Sequence, residues 1–254
     1  MIVKICGVKT INHALIASNH GADLVGIVFV SGRTRMLDLS TAKSICDELK
    51  LHNKKSPQIV GLFSDQSLEE VNHAIDYCGL DMVQLCGNES LYYCDSISCK
   101  VIKVIQVPVE SKQPDLVESL SGLISNYSDK GCYITLDSLI AGYEGGTGQS
   151  FDWTIAANLS ELGHSFLLAG GLNPSNVNEA IKIGRSKGLA AVTNSLFESA
   201  MNGTPAAQIF YLKNMAPEQW ADVQSIKAQV NVSKLSDSQL LECIPPSSFA
   251  AVKS

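Results

Sequence analysis

The feature that most constrains this chain is a regular alternation of short β-branched runs with longer helical stretches. Eight runs have the length and composition of strands. They are Ile2–Cys6, Leu24–Phe29, Ile59–Phe63, Met82–Leu85, Val101–Val104, Tyr133–Asp137, Phe166–Ala169 and Ala190–Thr193. Strands that alternate with crossover helices predict a parallel sheet.

Four of the segments between these strands carry helix signals. Ser67–Cys78 opens with a capping box, because Ser67 is followed three residues later by Glu70. Pro174–Gly184 has proline in its first turn and ends on glycine, an asymmetry that is typical of helices. The other two segments are Asn12–Asn19 and Ser40–Leu49.

The repeated order of strand and helix favours a (β/α)8 barrel, because right-handed crossovers can close eight parallel strands into a ring. An open doubly wound sheet is the alternative, but no G-x-G-x-x-G follows the first strand. We assign residues 1–214 to an α/β TIM barrel and residues 215–254 to a C-terminal extension. In the extension, Pro217–Lys234 is expected to form a helix, followed by a tail that is either frayed or partner-binding.

Composition and charge exclude several classes of protein. The 254 residues carry a formal net charge of −6 and are 45% hydrophobic, which indicates a folded globular chain. The acidic balance and the lack of a Lys/Arg run argue against a nucleic-acid or membrane partner. No apolar run reaches the roughly 18 residues of a membrane span. The N-terminus has no signal-peptide pattern, so a cytoplasmic protein is expected.

The eight cysteines have neither a C-x2-C pair nor a histidine at zinc-finger spacing. This spacing argues against a metal site. Thiols stay reduced in the cytosol, so most of these cysteines are expected to be small buried hydrophobic residues rather than disulfide partners.

The working residues of such barrels lie at the carboxyl ends of the strands and in the loops that follow. Cys6 ends the first strand, and Lys4 lies two residues below it with the same parity. If both side chains point into the barrel, the cation favours a thiolate. Asp137 ends the sixth strand, where an apolar rim raises the pKa of a carboxyl group. The alternatives are a packed thiol for Cys6, and a helix cap or ion pair for Asp137.

Three loops at the same rim have a composition that suits ligand binding. Gly145-Gly146-Thr147-Gly148 permits close backbone approach to a ligand, or a mobile lid. Gly170 and Gly171 lie between the seventh strand and a helix N-terminus, which suits a phosphate but also a tight turn. Arg33 and Arg35 follow the second strand and suit capture of a carboxylate or phosphate; solvated loop charges are the alternative.

The segments around these residues form an ordered series along residues 2–213. The series reads Lys4-Ile5-Cys6-Gly7, Gly21-Ala22-Asp23, Gly26-Ile27-Val28-Phe29, Arg35, Val60-Gly61-Leu62-Phe63, Val83-Gln84-Leu85-x-Gly87, Leu136-Asp137, Gly145-Gly146-Thr147-Gly148-x-x-Phe151-Asp152-Trp153 and Gly170-Gly171-Leu172-Asn173-Pro174-x-Asn176-Val177. Together these segments resemble the N-(5′-phosphoribosyl)anthranilate isomerases of tryptophan biosynthesis. The resemblance implies a (β/α)8 barrel that uses neither a metal nor an organic cofactor.

The resemblance also implies the reaction, an Amadori rearrangement of N-(5-phospho-β-D-ribosyl)anthranilate to 1-(2-carboxyphenylamino)-1-deoxy-D-ribulose 5-phosphate. Asp137 matches the family's general acid, which protonates the furanose ring oxygen. Cys6 matches the general base, which removes the C2 proton, and Arg35 matches the arginine that holds the anthranilate carboxylate. The remaining substrate-binding residues are Gly146 and, at the phosphate, Gly170, Gly171, Asn194 and Ser195. The only partner implied is this phosphorylated aminosugar, and both a monomer and a homodimer fit the sequence.

The sequence departs from the family pattern at three positions. Cys86 stands where the family has histidine, Val192 replaces an aspartate, and Leu196 replaces a glycine near the phosphate. The added side chain at Leu196 favours weaker phosphate binding and slower turnover. Two other functions therefore stay open: a non-catalytic sugar-phosphate-binding or interaction protein on this fold, and an isomerase of the related aminoaldose of histidine biosynthesis. The latter family uses paired aspartates where this chain has Cys6 and Asp137.

Overall fold

The computed structural model describes residues 2–52, 56–110, 115–139, 149–173, 175–180 and 191–194, the last four as backbone. Eight parallel strands form a closed barrel in sequence order, and β1 closes the ring by pairing with both β2 and β8. The strands are β1 (Ile2–Cys6), β2 (Leu24–Val28), β3 (Gln58–Phe63), β4 (Met82–Leu85), β5 (Lys100–Pro108), β6 (Tyr133–Leu139), β7 (Leu167–Leu168) and β8 (Ala191–Asn194). The predicted TIM-barrel architecture is confirmed.

Helices follow each of the first six strands. They are α1 (Ile11–Asn19), α2 (Leu39–His52), α3 (Leu68–Cys78), α4 (Leu91–Asp95), α5 (Leu116–Ser128) and α6 (Trp153–Glu161). The capping box predicted for α3 is present: Glu70 N donates to Ser67 Oγ at 3.2 Å, and Ser67 N donates to Glu70 Oε2 at 2.9 Å. This reciprocal pair satisfies two backbone donors at the start of the helix.

The predicted and observed strands differ mainly in length. β1 and β4 have the predicted bounds, whereas β5 runs four residues beyond Val104 to Pro108. It does so because β5 and β6 pair continuously from Ile102 with Tyr133 to Pro108 with Leu139. β6 is likewise two residues longer than predicted, so Asp137 lies within the strand rather than at its last residue.

Part of the sequence interpretation concerns residues that the structure does not describe. In the predicted helix Pro174–Gly184, residues 177–180 are helical, and Pro174 and residues 181–184 lie outside the described ranges. The C-terminal extension, residues 215–254, also lies outside them. The division of the chain at residue 214 therefore stays a prediction.

Strand side chains alternate between two apolar layers. Residues that face the inside of the barrel form a compact cluster, which includes Leu24, Val60, Leu62, Met82 and Ile102. Side chains of the opposite parity pack outward against the helices in two larger clusters. This alternation places Lys4, Cys6 and the other even-numbered positions of β1 inside the barrel.

A cavity of about 850 Å³ opens at the amino-terminal ends of the strands. Ile2, Met82, Tyr133 and Leu167 are among its lining residues, and all of them lie at or near the first residue of a strand. This cavity is therefore at the opposite end of the barrel from the rim where the candidate catalytic residues lie.

Within the described ranges, no helix combines the length and apolar character that crossing a membrane requires. The same residues contain no group of three or more His, Cys, Asp or Glu side chains placed to hold a metal ion. Of the cysteines described, Cys46, Cys78, Cys94 and Cys132 are buried free thiols, as expected for small hydrophobic side chains.

A buried ion pair between Lys103 and Glu89 holds together the loops that follow β3 and β4. Lys103 Nζ lies 2.6 Å from Glu89 Oε2, and the two side chains are only 5% and 1% exposed. Lys103 also donates to the carbonyl of Gly87 at 2.6 Å, while Glu89 Oε1 accepts from the amides of Asp65 at 2.9 Å and Gly87 at 3.2 Å. The loops after β3 and β4 are thus tied to one carboxylate.

Lys103→Met is expected to destabilise the fold by about 3–5 kcal/mol, because it leaves the Glu89 carboxylate buried without its counter-charge. Urea unfolding followed by circular dichroism measures this loss. Lys130→Met is the control, since Lys130 forms an exposed pair with Asp95 at 2.9 Å, and its unfolding midpoint should stay close to that of the parent. Equal midpoints for the two variants would contradict the structural role of Lys103.

Candidate active site

Cys6 lies at the carboxyl end of β1, partly buried against the apolar cluster inside the barrel. Gly26 of the neighbouring strand faces it: a Cβ placed on Gly26 would lie 3.0 Å from Cys6 Sγ and 3.1 Å from Lys4 Nζ. The thiol and the ammonium group therefore share one niche, which exists because residue 26 has no side chain.

Asp137 lies in β6 with its side chain partly buried on the inner face. Its Oδ1 accepts a hydrogen bond from the Ser138 amide at 2.8 Å. Burial raises the pKa of the Asp137 carboxyl group, while the Ser138 N–H and the positive charge of Lys4 partly lower it. A raised pKa keeps a larger fraction of the carboxyl group protonated, as a proton donor requires.

Cys86 lies where the charges of Lys4 and Cys6 on β1 and of Asp137 on β6 all affect the pKa of its thiol. The pKa of its thiol is raised to about 11, chiefly by burial; negative charge on Cys6 and Asp137 also raises this pKa, whereas the Gln84 amide and Lys4 lower it. Gln84 Nε2 lies 3.4 Å from Cys86 Sγ. Cys6, Cys86, Asp137 and Lys4 thus converge inside the upper barrel, and Cys86 itself stays neutral near pH 7.

Arg35 lies beside Cys6 at the rim. Its Nη1 donates to the carbonyl oxygen of Cys6 at 2.8 Å. Gly7 follows with a φ of +79°, and a Cβ there would lie 2.7 Å from Arg35 Cδ, so the glycine makes room for the guanidinium group. Of the two arginines that the sequence singled out, Arg35 is the one held against the base candidate.

Gly170 and Gly171 follow β7, with φ angles of +83° and +64°. A Cβ on Gly170 would overlap Ser138 Oγ and lie 2.9 Å from Asp137 Oδ1. A Cβ on Gly171 would overlap the backbone of Gln149 and Ser150. The Gly-Gly turn is therefore packed directly against the acid candidate on one side and against the chain that follows residues 145–148 on the other.

Three of the predicted substrate-binding residues are not fully described. Asn194 ends β8, and its backbone is paired in register with Ile5. Gly146 and Ser195 lie outside the described residues, as does Leu196. Their assignments stay predictions.

Two residues, one next to the acid candidate and one next to the base candidate, were not singled out from the sequence as part of the site. Ser138 contributes the amide that binds Asp137, and its buried Oγ has no hydrogen-bond partner among the described residues. Gly26 provides the space beside Cys6 and Lys4. A hydroxyl group after a strand-end carboxylate is a weak signal in sequence, and a glycine in a strand is explained only by what packs against it.

Comparison with known proteins identifies the family. The family model described as N-(5'phosphoribosyl)anthranilate (PRA) isomerase matches residues 3–193. The chain belongs to this family. The matched region runs from β1 into β8 and includes Cys6, Arg35, Asp137, Gly170 and Gly171.

Individual members of the PRA isomerase family agree with this assignment. The N-(5'-phosphoribosyl)anthranilate isomerase of Dehalococcoides mccartyi is 37% identical over 186 residues, which are 73% of this chain and 83% of the relative. A crystal structure of monomers of the dimeric enzyme from Thermotoga maritima is 28% identical, with a TM-score of 0.66, and the match covers 86% of this chain and all of that one. A structure of PRA isomerase in complex with reduced 1-(o-carboxyphenylamino)-1-deoxyribulose 5-phosphate is 26% identical, with a TM-score of 0.64, and the match covers 85% and 98% of the two chains.

Gly170→Ala is expected to lower activity much more than Gly163→Ala. Both glycines have positive φ, so each alanine costs about 1–2 kcal/mol of backbone strain. Gly163 has no atom within 4 Å of the new Cβ, whereas the Cβ on Gly170 displaces Ser138 and Asp137. Thermal unfolding of both variants measures the backbone strain that they share, and steady-state kinetics measures the effect of displacing Ser138 and Asp137. Equal kcat values for the two variants would contradict the packing described for the Gly-Gly turn.

Proposed function

We propose that this protein catalyses the Amadori rearrangement of N-(5-phospho-β-D-ribosyl)anthranilate to 1-(2-carboxyphenylamino)-1-deoxy-D-ribulose 5-phosphate in tryptophan biosynthesis. The observation that carries the proposal is that a chain of this family has Cys6, Asp137 and Arg35 in its barrel rim, with a shared cation inside. An isomerase of the related aminoaldose in histidine biosynthesis would have aspartates at both catalytic positions, whereas this chain has Cys6 at the first.

Asp137 is the general acid of the proposed reaction. It gives its proton to the furanose ring oxygen, the bond between C1 and that oxygen breaks, and the nitrogen lone pair forms the C1=N bond of a protonated Schiff base. Burial supports this role because it raises the pKa of the carboxyl group. The Ser138 amide, 2.8 Å from Oδ1, supports the carboxylate that remains after the transfer.

Cys6 is the general base of the proposed reaction. Its thiolate removes the proton from C2, and the released electron pair forms a C1=C2 bond while nitrogen recovers its lone pair. The resulting enolamine tautomerises to the ketose when C1 gains a proton and the C2 hydroxyl group loses one. Every step moves a proton, and the sugar is oxidised at C2 as it is reduced at C1, so the chemistry calls for no external oxidant.

Substrate binding is proposed to follow from the residues around this pair. Arg35, which donates to the Cys6 carbonyl, is proposed to bind the anthranilate carboxylate, because a guanidinium group suits bidentate recognition of a carboxylate. The backbone N–H groups of Gly170 and Gly171 are proposed to bind the phosphate, together with Gly146, Asn194 and Ser195. The free thiols of the described cysteines suit work in the reducing cytoplasm.

Cys6→Ala and Asp137→Asn are each expected to lower kcat by about 10²–10⁴-fold, the usual contribution of one acid or base. The measurement is the loss of substrate fluorescence on rearrangement, in an assay mixture in which the substrate is itself produced. Cys99→Ala is the matched control, because this partly exposed thiol lies before β5 and outside the rim, and it should keep parental activity. Parental turnover in either active-site variant would refute the assigned role, and product-analogue binding without turnover by the parent would favour the sugar-phosphate-binding alternative.

Asp137→Asn is also expected to stabilise the fold at neutral pH. A carboxyl group whose pKa is raised in the native state opposes folding wherever it ionises, since the unfolded chain releases the proton more easily. This cost is present above the raised native pKa and disappears as the pH falls towards the ordinary value near 3.8. Thermal unfolding from pH 8 to pH 4 should show the variant's advantage shrinking with acidity; an advantage that grows instead would contradict the assigned pKa direction.

A further inference from the structure

Lys4 is a cation buried inside the barrel. Its side chain has no exposed surface, and no hydrogen-bond partner for Nζ exists among the described residues. Desolvation of an ammonium group is costly, and lysine is almost never fully buried unless paired. A group that is retained at this cost needs a reason beyond packing.

The surroundings of Lys4 supply that reason. Its Nζ and the Cys6 sulfur both border the space beside Gly26, at 3.1 Å and 3.0 Å from where a Cβ on Gly26 would lie. On β6, Asp137 is close enough for the Lys4 charge to lower the pKa of its carboxyl group. On the loop after β4, Cys86 also lies within reach of that charge.

We propose that Lys4 is a positioning residue, the fixed counter-charge that the base Cys6 and the acid Asp137 share during turnover. This inference rests on the proposed isomerase function. Lys4 itself does not exchange a proton with the substrate. Its role is to stabilise one negative charge, first on the Cys6 sulfur and then on the Asp137 carboxylate.

The proton balance of the reaction calls for such a group. The proposed reaction begins from a thiolate at Cys6 and a protonated Asp137, a pair that carries one negative charge. Asp137 then gives its proton to the ring oxygen, and Cys6 takes one from C2. The pair still carries one negative charge, which has moved from sulfur to carboxylate, and proton exchange with solvent restores the starting state. A cation within reach of both positions stabilises the charge before and after the transfer.

The other ionisable groups around Lys4 do not replace it. Cys86 has its thiol pKa raised to about 11 by burial, so it is uncharged at neutral pH and does not compete for the ammonium group. Arg35 binds the backbone carbonyl of Cys6. Gln84 and Thr135, which are also buried on the inner face, are uncharged.

Thr135 provides a matched control. It lies two residues before Asp137 on β6, as Lys4 lies two residues before Cys6 on β1, and its buried hydroxyl group also lacks a partner among the described residues. Thr135→Val removes a polar group from the same interior without removing a charge. Lys4→Met removes the charge while it keeps an unbranched, flexible side chain that is shorter by only one heavy atom.

We expect Lys4→Met to lower kcat by about 10²-fold or more, with KM within about threefold, because the missing charge acts on the proton transfers. The acid limb of its pH–rate profile should move upward by about one pH unit or more. Its melting temperature should be unchanged or higher, because a buried unpaired charge is lost. Thr135→Val should keep kcat within about threefold of the parent.

A second measurement does not depend on turnover. Because a thiolate is the species that is alkylated, iodoacetamide should modify Cys6 at least about tenfold more slowly in Lys4→Met than in the parent, with Cys6→Ala as the blank. This result supports the pairing of Lys4 with Cys6 even if the parent fails to isomerise the substrate, which would refute the proposed function alone.

Three results would overturn the proposal. The first is a folded Lys4→Met with parental kcat and an unmoved acid limb, and the second is a parental alkylation rate at Cys6 in that variant. The third is failure of both Lys4→Met and Lys4→Gln to fold, since Lys4 would then serve the structure. A folded Lys4→Gln with the kcat loss expected of Lys4→Met supports the proposal.

Discussion

Parallel pairing around a closed ring is the constraint on which the rest of this structure depends. Because all eight strands run in one direction, the ends of β1, β2, β6 and β7 meet at one rim, and residues far apart in the chain become neighbours. Strict alternation along each strand then places Lys4 and Cys6, or Thr135 and Asp137, on the same inner face. A slip of one residue in the register of β1 or β6 would turn the reactive groups outward.

The sequence predicts local features well and contacts between segments poorly. The bounds of β1 and β4, the capping box at Ser67 and the shared parity of Lys4 and Cys6 all follow from neighbouring residues. The extra length of β5 does not, because it depends on pairing with β6.

Short or weakly capped helices escaped prediction for a similar reason. α4 has only five residues, and Asp115 makes no side-chain capping bond at the start of α5. The niche at Gly26 and the contact of Gly170 with Ser138 were equally inaccessible, since each joins two strands whose spacing only the folded barrel fixes. The acid and base candidates were predictable because the order of the motifs indicates them, and Lys4 was predictable from its parity with Cys6, whereas the Ser138 amide that binds Asp137 was not.

Unpaired polar groups buried inside the barrel lower the stability of the fold. Lys4 Nζ, Gln84 Oε1 and Thr135 Oγ1 are buried without hydrogen-bond partners among the described residues, although apolar groups would pack there at lower cost. The outer layers compensate, since the helices pack on them through large apolar clusters and Glu89 is fully satisfied by Lys103 and two amides. Of these three groups, Lys4 lies beside the candidate base, and a charged group at a reacting centre with apolar layers around it is common in enzymes.

The bond between Arg35 and the Cys6 carbonyl joins the proposed carboxylate-binding residue to the proposed base. The guanidinium group that is proposed to hold the anthranilate carboxylate is anchored on the peptide that carries the sulfur of the proposed base, and Gly7 has no side chain that would displace it. Replacing Arg35 to accept a substrate without a carboxylate would therefore also remove a hydrogen bond that holds the Cys6 peptide. Substrate preference and the position of Cys6 would have to be redesigned together.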